Sequence, residues 1–264
     1  DAADMATAAR RLAEIDGGLR ETWEFRHLTG RLDDSRRHWE YEPAPVLAAA
    51  FTGEDDNIVV STWDERLIVL GDDLSAERTS AHLPARGISL AVVADRGWVI
   101  VGCIDGHLRA MRRSDGTIVD LGAVLEGPIS YVRLSDNAEV CVVCDRERST
   151  RVVRFDWSAP ERPVMSILRS LVGRAASVSP DGERVAVNAG DRVDVVSLRE
   201  GVPDVALGAL GAAWSTAFSP DGSRLLVGHD DGMVRLWRLP DRAQPGAAPE
   251  LGWMQRYASA AMRV

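Results

Sequence analysis

The 264-residue sequence contains no lysine, and all 31 of its basic residues are arginine. Without lysine, no side chain is available to form a Schiff base or to hold nucleotide phosphates in a P-loop. An exclusively arginine basic set is also typical of GC-rich bacterial genomes. The absence of lysine therefore excludes two classes of site before any motif is considered.

Cysteine is scarce, with only Cys103, Cys141 and Cys144 present. A small, odd number does not support a disulfide framework and suits a reducing compartment, so we expect a cytoplasmic protein. Cys141-Val-Val-Cys144 resembles half of a zinc site, but zinc usually takes four ligands. In a strand, residues three apart point to opposite faces. We therefore interpret the cysteines as core thiols and expect no metal.

Long apolar runs are also missing. No stretch approaches the roughly 18–20 residues that span a bilayer. Residues 1–4 carry neither the basic nor the apolar region of a secretory signal. They also lack an initiator methionine, so we expect a chain that was processed or cut from a longer protein. The formal net charge is −9 and the pairs Arg36-Arg37 and Arg112-Arg113 are isolated, whereas nucleic-acid binding needs a basic stripe. We expect no membrane and no nucleic-acid partner.

The second half of the chain contains a repeated sequence pattern. The segment 179–187, beginning Ser-Pro-Asp-Gly, reappears forty residues later as 219–227. Proline pre-sets φ for a tight turn, aspartate caps the turn, and Gly182 and Gly222 tolerate positive φ. Alternating, β-rich residues follow each turn. The pattern predicts strand, turn, strand, turn, strand.

Weaker copies of this unit lie upstream, at 51–64, 93–105 and 134–145. An aspartate closes the second strand of every copy, at steps of 41, 40, 46 and 40 residues: Asp64, Asp105, Asp145, Asp191 and Asp231. Because these aspartates recur with the unit, we interpret them as turn and capping residues and not as acid catalysts. A period near forty with several short strands per unit predicts the blades of a β-propeller.

Two motifs resemble those of a known family. Asp231-Gly-Met-Val-Arg-Leu-Trp237 resembles the third strand of WD repeats, and Ser-Pro-Asp-Gly resembles their first hairpin. The resemblance covers residues 45–240. It implies an all-β propeller of four-stranded antiparallel blades, with six blades fitting the length better than seven. A TolB-like six-bladed propeller, which also uses Ser-Pro-Asp-Gly hairpins, is the alternative.

The sequence also departs from the WD pattern. The Gly-His pair before the first strand is missing from every repeat, and the third-strand tryptophan survives only as Trp237. The hydrogen-bonded His–Ser/Thr–Trp–Asp network of the family is therefore not intact. We expect the blades to depend mostly on apolar packing.

We expect a single propeller domain over 1–264, with five recognisable repeats in 46–240 and a loop with closing strands in 241–264. Residues 1–45 form either a partial blade or an N-terminal extension. Apolar residues at helical spacing favour a helix near the start, but Gly17-Gly18 interrupts it, and residues 10–28 also align with 223–239. We favour strands there, paired with residues 258–264 so that the ring closes without an exposed edge.

The resemblance implies a non-catalytic interaction or scaffold module. We expect one domain of a larger bacterial regulatory, sensing or defence protein, without a cofactor. Its partner would be another protein or another domain of the same protein. The alternative is a propeller hydrolase or lyase with its site in the central funnel. The five histidines are scattered and no HExxH or Gly-x-Ser-x-Gly motif is present, which argues against this alternative.

A docking site can be predicted from blade geometry. The turn joining the second and third strands should open on the same face as the segments that lead into the first strands. Residues beside the turn aspartates, and residues that begin first strands, should therefore meet a partner: Trp63, Ile104, His229, Asp230, Arg174 and Trp214. An exposed aromatic beside an arginine is typical of an interface hot spot. The alternative for Trp63 is that it folds back over its own blade.

Overall fold

The structure is a computed structural model that describes residues 11, 39, 41–53, 57–71, 74, 77–159, 161–208, 212–241 and 247–256, without the side chains of 174–176. The chain divides into two compact units, 1–40 and 41–264. Of the first unit, only residues 11 and 39 are described, and Arg11 is helical. Apart from Arg11, residues 9–28 lie outside the described residues, as do residues 258–264. The choice between helix and strand over 9–28 and the pairing with 258–264 therefore stay predictions.

The described residues of the second unit form twenty strands in five four-stranded antiparallel sheets, each built from consecutive strands. Blade 1 consists of β1 (Val46–Phe51), β2 (Ile58–Thr62), β3 (Arg66–Leu70) and β4 (Glu77–His82). Blade 2 consists of β5 (Gly87–Val93), β6 (Trp98–Cys103), β7 (His107–Arg112) and β8 (Ile118–Ala123). Blade 3 consists of β9 (Tyr131–Leu134), β10 (Val140–Cys144), β11 (Ser149–Asp156) and β12 (Val164–Val172).

Blade 4 consists of β13 (Arg174–Val178), β14 (Arg184–Asn188), β15 (Val193–Ser197) and β16 (Val205–Leu207). Blade 5 consists of β17 (Ala213–Phe218), β18 (Arg224–His229), β19 (Met233–Arg238) and β20 (Glu250–Arg256). The architecture is that of a β-propeller, as the repeat predicted. The five blades begin at residue 46, where the five repeats were expected to begin.

Apolar side chains pack between neighbouring blades. The first strand of each blade packs against that of the next, in the order β1, β5, β9, β13 and β17. Between blades 1 and 2, for example, Val59 and Leu67 share a buried cluster with Val99, Met111 and Cys103. Similar clusters join blades 2 and 3, 3 and 4, and 4 and 5. Burial of apolar surface between sheets therefore carries the radial stack, as expected.

All three cysteines belong to this interior, as the sequence predicted. Cys103, Cys141 and Cys144 are at most 1% exposed and form no disulfide. Cys103 and Cys144 each end the second strand of a blade, β6 and β10.

The Ser-Pro-Asp-Gly turns form as predicted. Ser179 Oγ donates a hydrogen bond of 2.6 Å to Asp181 Oδ1 and accepts one of 2.9 Å from the backbone of Arg184. Gly182 has φ +73°, and Gly222 in the second copy has φ +67°. Local sequence alone specifies this turn, because serine, aspartate and glycine each satisfy a separate requirement of it.

Polar side chains also join the blades, which the sequence did not reveal. Ser89 Oγ donates to the carbonyl of Ile129 at 2.7 Å, and Thr150 Oγ1 donates to that of Gly173 at 2.8 Å. Asn188 Nδ2 donates in the same way to the carbonyl of residue 213. In each case the acceptor lies at or just before the first strand of the next blade. These bonds fix where each following blade begins.

The upper face of the blades as a candidate docking surface

The second-to-third strand turns lie beside the starts of the first strands. The backbone N–H of Trp63 donates to Pro45 O at 2.8 Å, and that of Ile104 donates to Arg86 O at 2.9 Å. The N–H of Asp230 donates to residue 212 in the same way, at 3.0 Å. We call this edge of the blades the upper face, and the opposite edge, where first joins second strand, the lower face. The predicted coincidence of turns and strand starts is present in these three blades.

The repeated aspartates cap the turns of this face. Asp105 Oδ1 accepts the backbone N–H of His107 at 3.2 Å, and Asp231 Oδ1 accepts that of Met233 at 2.8 Å. Asp145 accepts two backbone N–H groups, each at 2.8 Å. These three aspartates therefore act as capping residues, as interpreted from their recurrence. In blade 4, it is the Asn188 side chain that accepts the turn N–H, at 2.9 Å.

Two of these aspartates also hold buried arginines. Both guanidinium nitrogens of Arg109 donate to Asp105, at 3.0 and 2.7 Å, and Arg235 donates to Asp231 at 3.0 Å. The Arg109 bond holds the pKa of Asp105 below its ordinary value, and it raises the pKa of Arg109. A carboxylate that is kept ionised by a buried arginine is poorly suited to donate a proton at neutral pH. These pairs stabilise the turns.

Trp63 is the most exposed tryptophan of the described residues. Its side chain is 55% exposed, and the guanidinium of Arg86 lies 4.1 Å from the ring centroid. Arg86 directly precedes β5, so the pair joins the turn of blade 1 to the start of blade 2. A guanidinium over an indole is an attractive cation–π contact. The ring therefore does not simply fold over its own blade, and half of its surface faces solvent.

The other predicted site residues have different surroundings. Trp214 is 49% exposed, because the β17–β18 register skips it between residues 213 and 215. Asp230 is exposed, whereas Ile104 is half-buried against the apolar cluster of blades 1 and 2. His229 is only 2% exposed, so its inclusion among surface residues was wrong: it ends β18 with its side chain directed inward. Arg174 begins β13, and its side chain lies outside the described residues.

Two further apolar residues of the upper face were missed by the sequence analysis. Val46 is 45% exposed and Tyr131 is 46% exposed. Each is the first residue of a first strand, β1 and β9. The signal that could have identified them is this repeat position, since a side chain at the start of an innermost strand borders the face.

Two other features are absent from the described part of the chain. It contains no group of three or more histidine, cysteine, aspartate or glutamate residues that could hold a metal ion. Over the same residues, no helix has the length and apolar character needed to cross a membrane.

Comparison with known proteins agrees with this architecture. Residues 208–238 match the WD40 family, described as WD domain, G-beta repeat. No curated protein matches the chain. The β-propeller domain of Cps50 (Swd1) from Myceliophteria thermophila superposes with a TM-score of 0.61 at 12% identity, over 82% of this chain and 74% of that one. A chain of the mitotic checkpoint complex gives 0.63 at 10% identity, over 85% and 69%. Identities this low show the fold alone.

Proposed function

Because this chain is a WD-repeat β-propeller, we propose that it is a non-catalytic interaction module whose upper face docks another protein or another domain of the same polypeptide. The observation that carries the proposal is the Trp63–Arg86 pair, an exposed indole beneath a guanidinium at 4.1 Å. Tryptophan and arginine are the residue types most enriched at interface hot spots. Fold alone does not establish this function, so the proposal depends on these side chains.

The surroundings of the pair support the same proposal. Val46, Tyr131 and Trp214 add exposed apolar surface at the same face of blades 1, 3 and 5. Apolar and aromatic side chains with charged residues at the rim are the usual composition of an interface. The arginine-only basic set and the reduced cysteines favour a bacterial cytoplasmic setting, within a larger regulatory, sensing or defence protein. One of the similar structures is, by its name, part of a multiprotein complex.

The test is to isolate the partner from the native host by crosslinking and mass spectrometry, and then to measure its affinity for variants. Trp63→Ala and Arg86→Ala should each weaken binding by about 30-fold, corresponding to about 2 kcal/mol. Phe51→Ala is the matched control, because Phe51 is 72% exposed and ends β1 at the lower face. Normal binding by the upper-face variants, or a loss with Phe51→Ala alone, would contradict docking at the upper face.

A further inference from the structure

Four arginines line one cavity on the lower face, between blades 1 and 2. The cavity has a volume of about 350 Å³. Arg78 comes from β4, Arg96 from the 3-10 turn Ala94–Arg96, Arg112 from the end of β7, and Arg113 directly follows it. In the sequence, Arg112-Arg113 is an isolated pair. The fold brings it together with two more cations in a chain of net charge −9.

Three of these side chains are held in place by neighbours. The guanidinium of Arg112 lies 5.2 Å from the ring centroid of Trp98, and that of Arg96 lies 5.3 Å from that of Trp157. Arg113 Nη2 donates to the backbone carbonyl of residue 94 at 3.0 Å. A cation that is already positioned loses less side-chain entropy when a ligand binds. The cavity is therefore partly preorganised.

Arg113 departs from the repeat at its position. Its backbone N–H donates to residue 97 at 2.9 Å, and the equivalent bonds of the next three blades are made by apolar residues: Phe155 at 2.8 Å, Leu198 at 2.8 Å and Leu239 at 2.9 Å. Phe155 and Leu239 are buried there. Packing of the blade thus favours an apolar residue at this position, whereas Arg113 places a charged group in the lining of the cavity.

The charged residues that line this cavity also differ from those that line the lower-face cavity of blade 5. Its lining contains four arginines and no carboxylate among the described residues, which leave out 54–56 and 72–73. Asp95, Asp115 and Glu161 pair with Arg96 and Arg112 from outside the lining, at 3.2 to 3.7 Å. The lower-face cavity of blade 5 is lined by three arginines together with two carboxylates: Arg184, Arg224, Arg238, Asp221 and Asp241.

We propose that the cavity between blades 1 and 2 binds a phosphate-type anion, carried as a phosphate ester or a pyrophosphate. The four guanidinium groups that line the cavity can all interact with one multivalent anion, in addition to the carboxylates that pair with Arg96 and Arg112 from outside the lining. The planar guanidinium matches phosphate oxygens in a bidentate arrangement. A volume of about 350 Å³ falls in the range of small-ligand pockets and leaves room for an organic group beside the phosphate. This site is independent of the docking function proposed for the upper face.

Isothermal titration calorimetry with inorganic pyrophosphate tests the site directly. The wild-type protein should bind it, and Arg78→Gln and Arg113→Gln should each weaken binding at least about tenfold. Arg238→Gln removes the same charge from the end of β19, the position that Arg112 occupies in blade 2, and should leave the affinity within about twofold. Urea denaturation of each variant verifies that it folds. Parallel titrations with inorganic phosphate and a phosphoserine peptide separate the two sources of the group, since tighter binding of the peptide indicates a phosphorylated protein.

Two results would overturn the proposal. One is the absence of binding by the wild-type protein at pyrophosphate concentrations up to about 5 mM. The other is equal weakening by Arg238→Gln and the two cavity variants, because such a result indicates unspecific attraction between an anion and surface arginines.

Discussion

Arg109 offers a test of how a charge is kept inside a blade. It is 3% exposed, and both of its terminal nitrogens donate to Asp105. Removing one partner of a buried pair costs about 3–5 kcal/mol, because the other charge is left without compensation. The Asp105 side chain is 34% exposed, and Asp120 Oδ2 lies 3.6 Å from Arg109 Nη2, so water and a second carboxylate compensate part of the charge. We therefore expect Asp105→Ala to lower the free energy of unfolding by about 2–3 kcal/mol.

Arg109→Ile is the comparison that the repeat itself provides. Ile68 occupies the equivalent third position of β3 in blade 1, and it is fully buried. Replacing a buried ion by a well-packed apolar residue is often neutral or stabilising. Arg109→Ile leaves a partly exposed carboxylate, which water can solvate. It should therefore lower the free energy of unfolding by less than about 1 kcal/mol.

The pair should also respond to pH. The Arg109 bond lowers the pKa of folded Asp105, so its contribution to stability is present above the unfolded pKa of about 3.9 and is lost as the pH falls through the lower folded value. Urea denaturation followed by tryptophan fluorescence, at neutral pH and at stepwise lower pH, measures both effects. If Arg109→Ile and Asp105→Ala lower the free energy of unfolding equally at neutral pH, the loss comes from side-chain packing. It then does not come from the charge of Arg109 that Asp105→Ala leaves without its partner.

Three further outcomes are expected. Gly106→Ala should destabilise the protein by more than about 3 kcal/mol, because a Cβ there would lie 2.0 Å from Leu125 O at φ +78°; a normal urea midpoint would contradict this. Glu65→Gly, at the equivalent turn position with φ +69°, should instead stabilise by up to about 1 kcal/mol, and a lowered midpoint would count against it. Burial raises the pKa of Cys103 to about 11 and of Cys141 to about 12, so a disulfide reagent should modify them at pH 8 only after unfolding; rapid native reaction would refute their burial.

The elements that the sequence predicts well are those determined by neighbouring residues. The Ser-Pro-Asp-Gly turn needs no tertiary partner, so its serine, aspartate and glycine identify it directly. The third copy shows the limit of this approach. Ala138 takes the glycine position at φ +55°, and Asn137 takes the role of the aspartate. The turn persists because Ser135 and Asn137 keep its hydrogen bonds, although the motif itself has faded.

Features that depend on neighbouring blades could not be predicted from one repeat. Trp63 was identifiable from its turn position, but its partner Arg86 belongs to the next blade. His229 shows the opposite error, because it adjoins the exposed Asp230 in sequence. Its equivalents at the ends of second strands are all buried: Thr62, Cys103, Cys144 and Asn188. Aligning the ends of the second strands would have assigned His229 to the interior.

The same comparison of equivalent positions separates architecture from function in this chain. Capping aspartates, the apolar residues of the lower edge and the buried ends of second strands recur from blade to blade, and packing explains them. Arg113 at an apolar position and Trp63 at an exposed turn recur nowhere else in the described blades. Packing within one blade gains little from either residue, since one adds charge to a cavity and the other leaves an indole in water. Residues that depart from the repeat without a gain in packing are therefore the best candidates for binding. Trp63 marks the upper face as the candidate surface for a protein, and Arg113 marks the lower face as the candidate site for an anion.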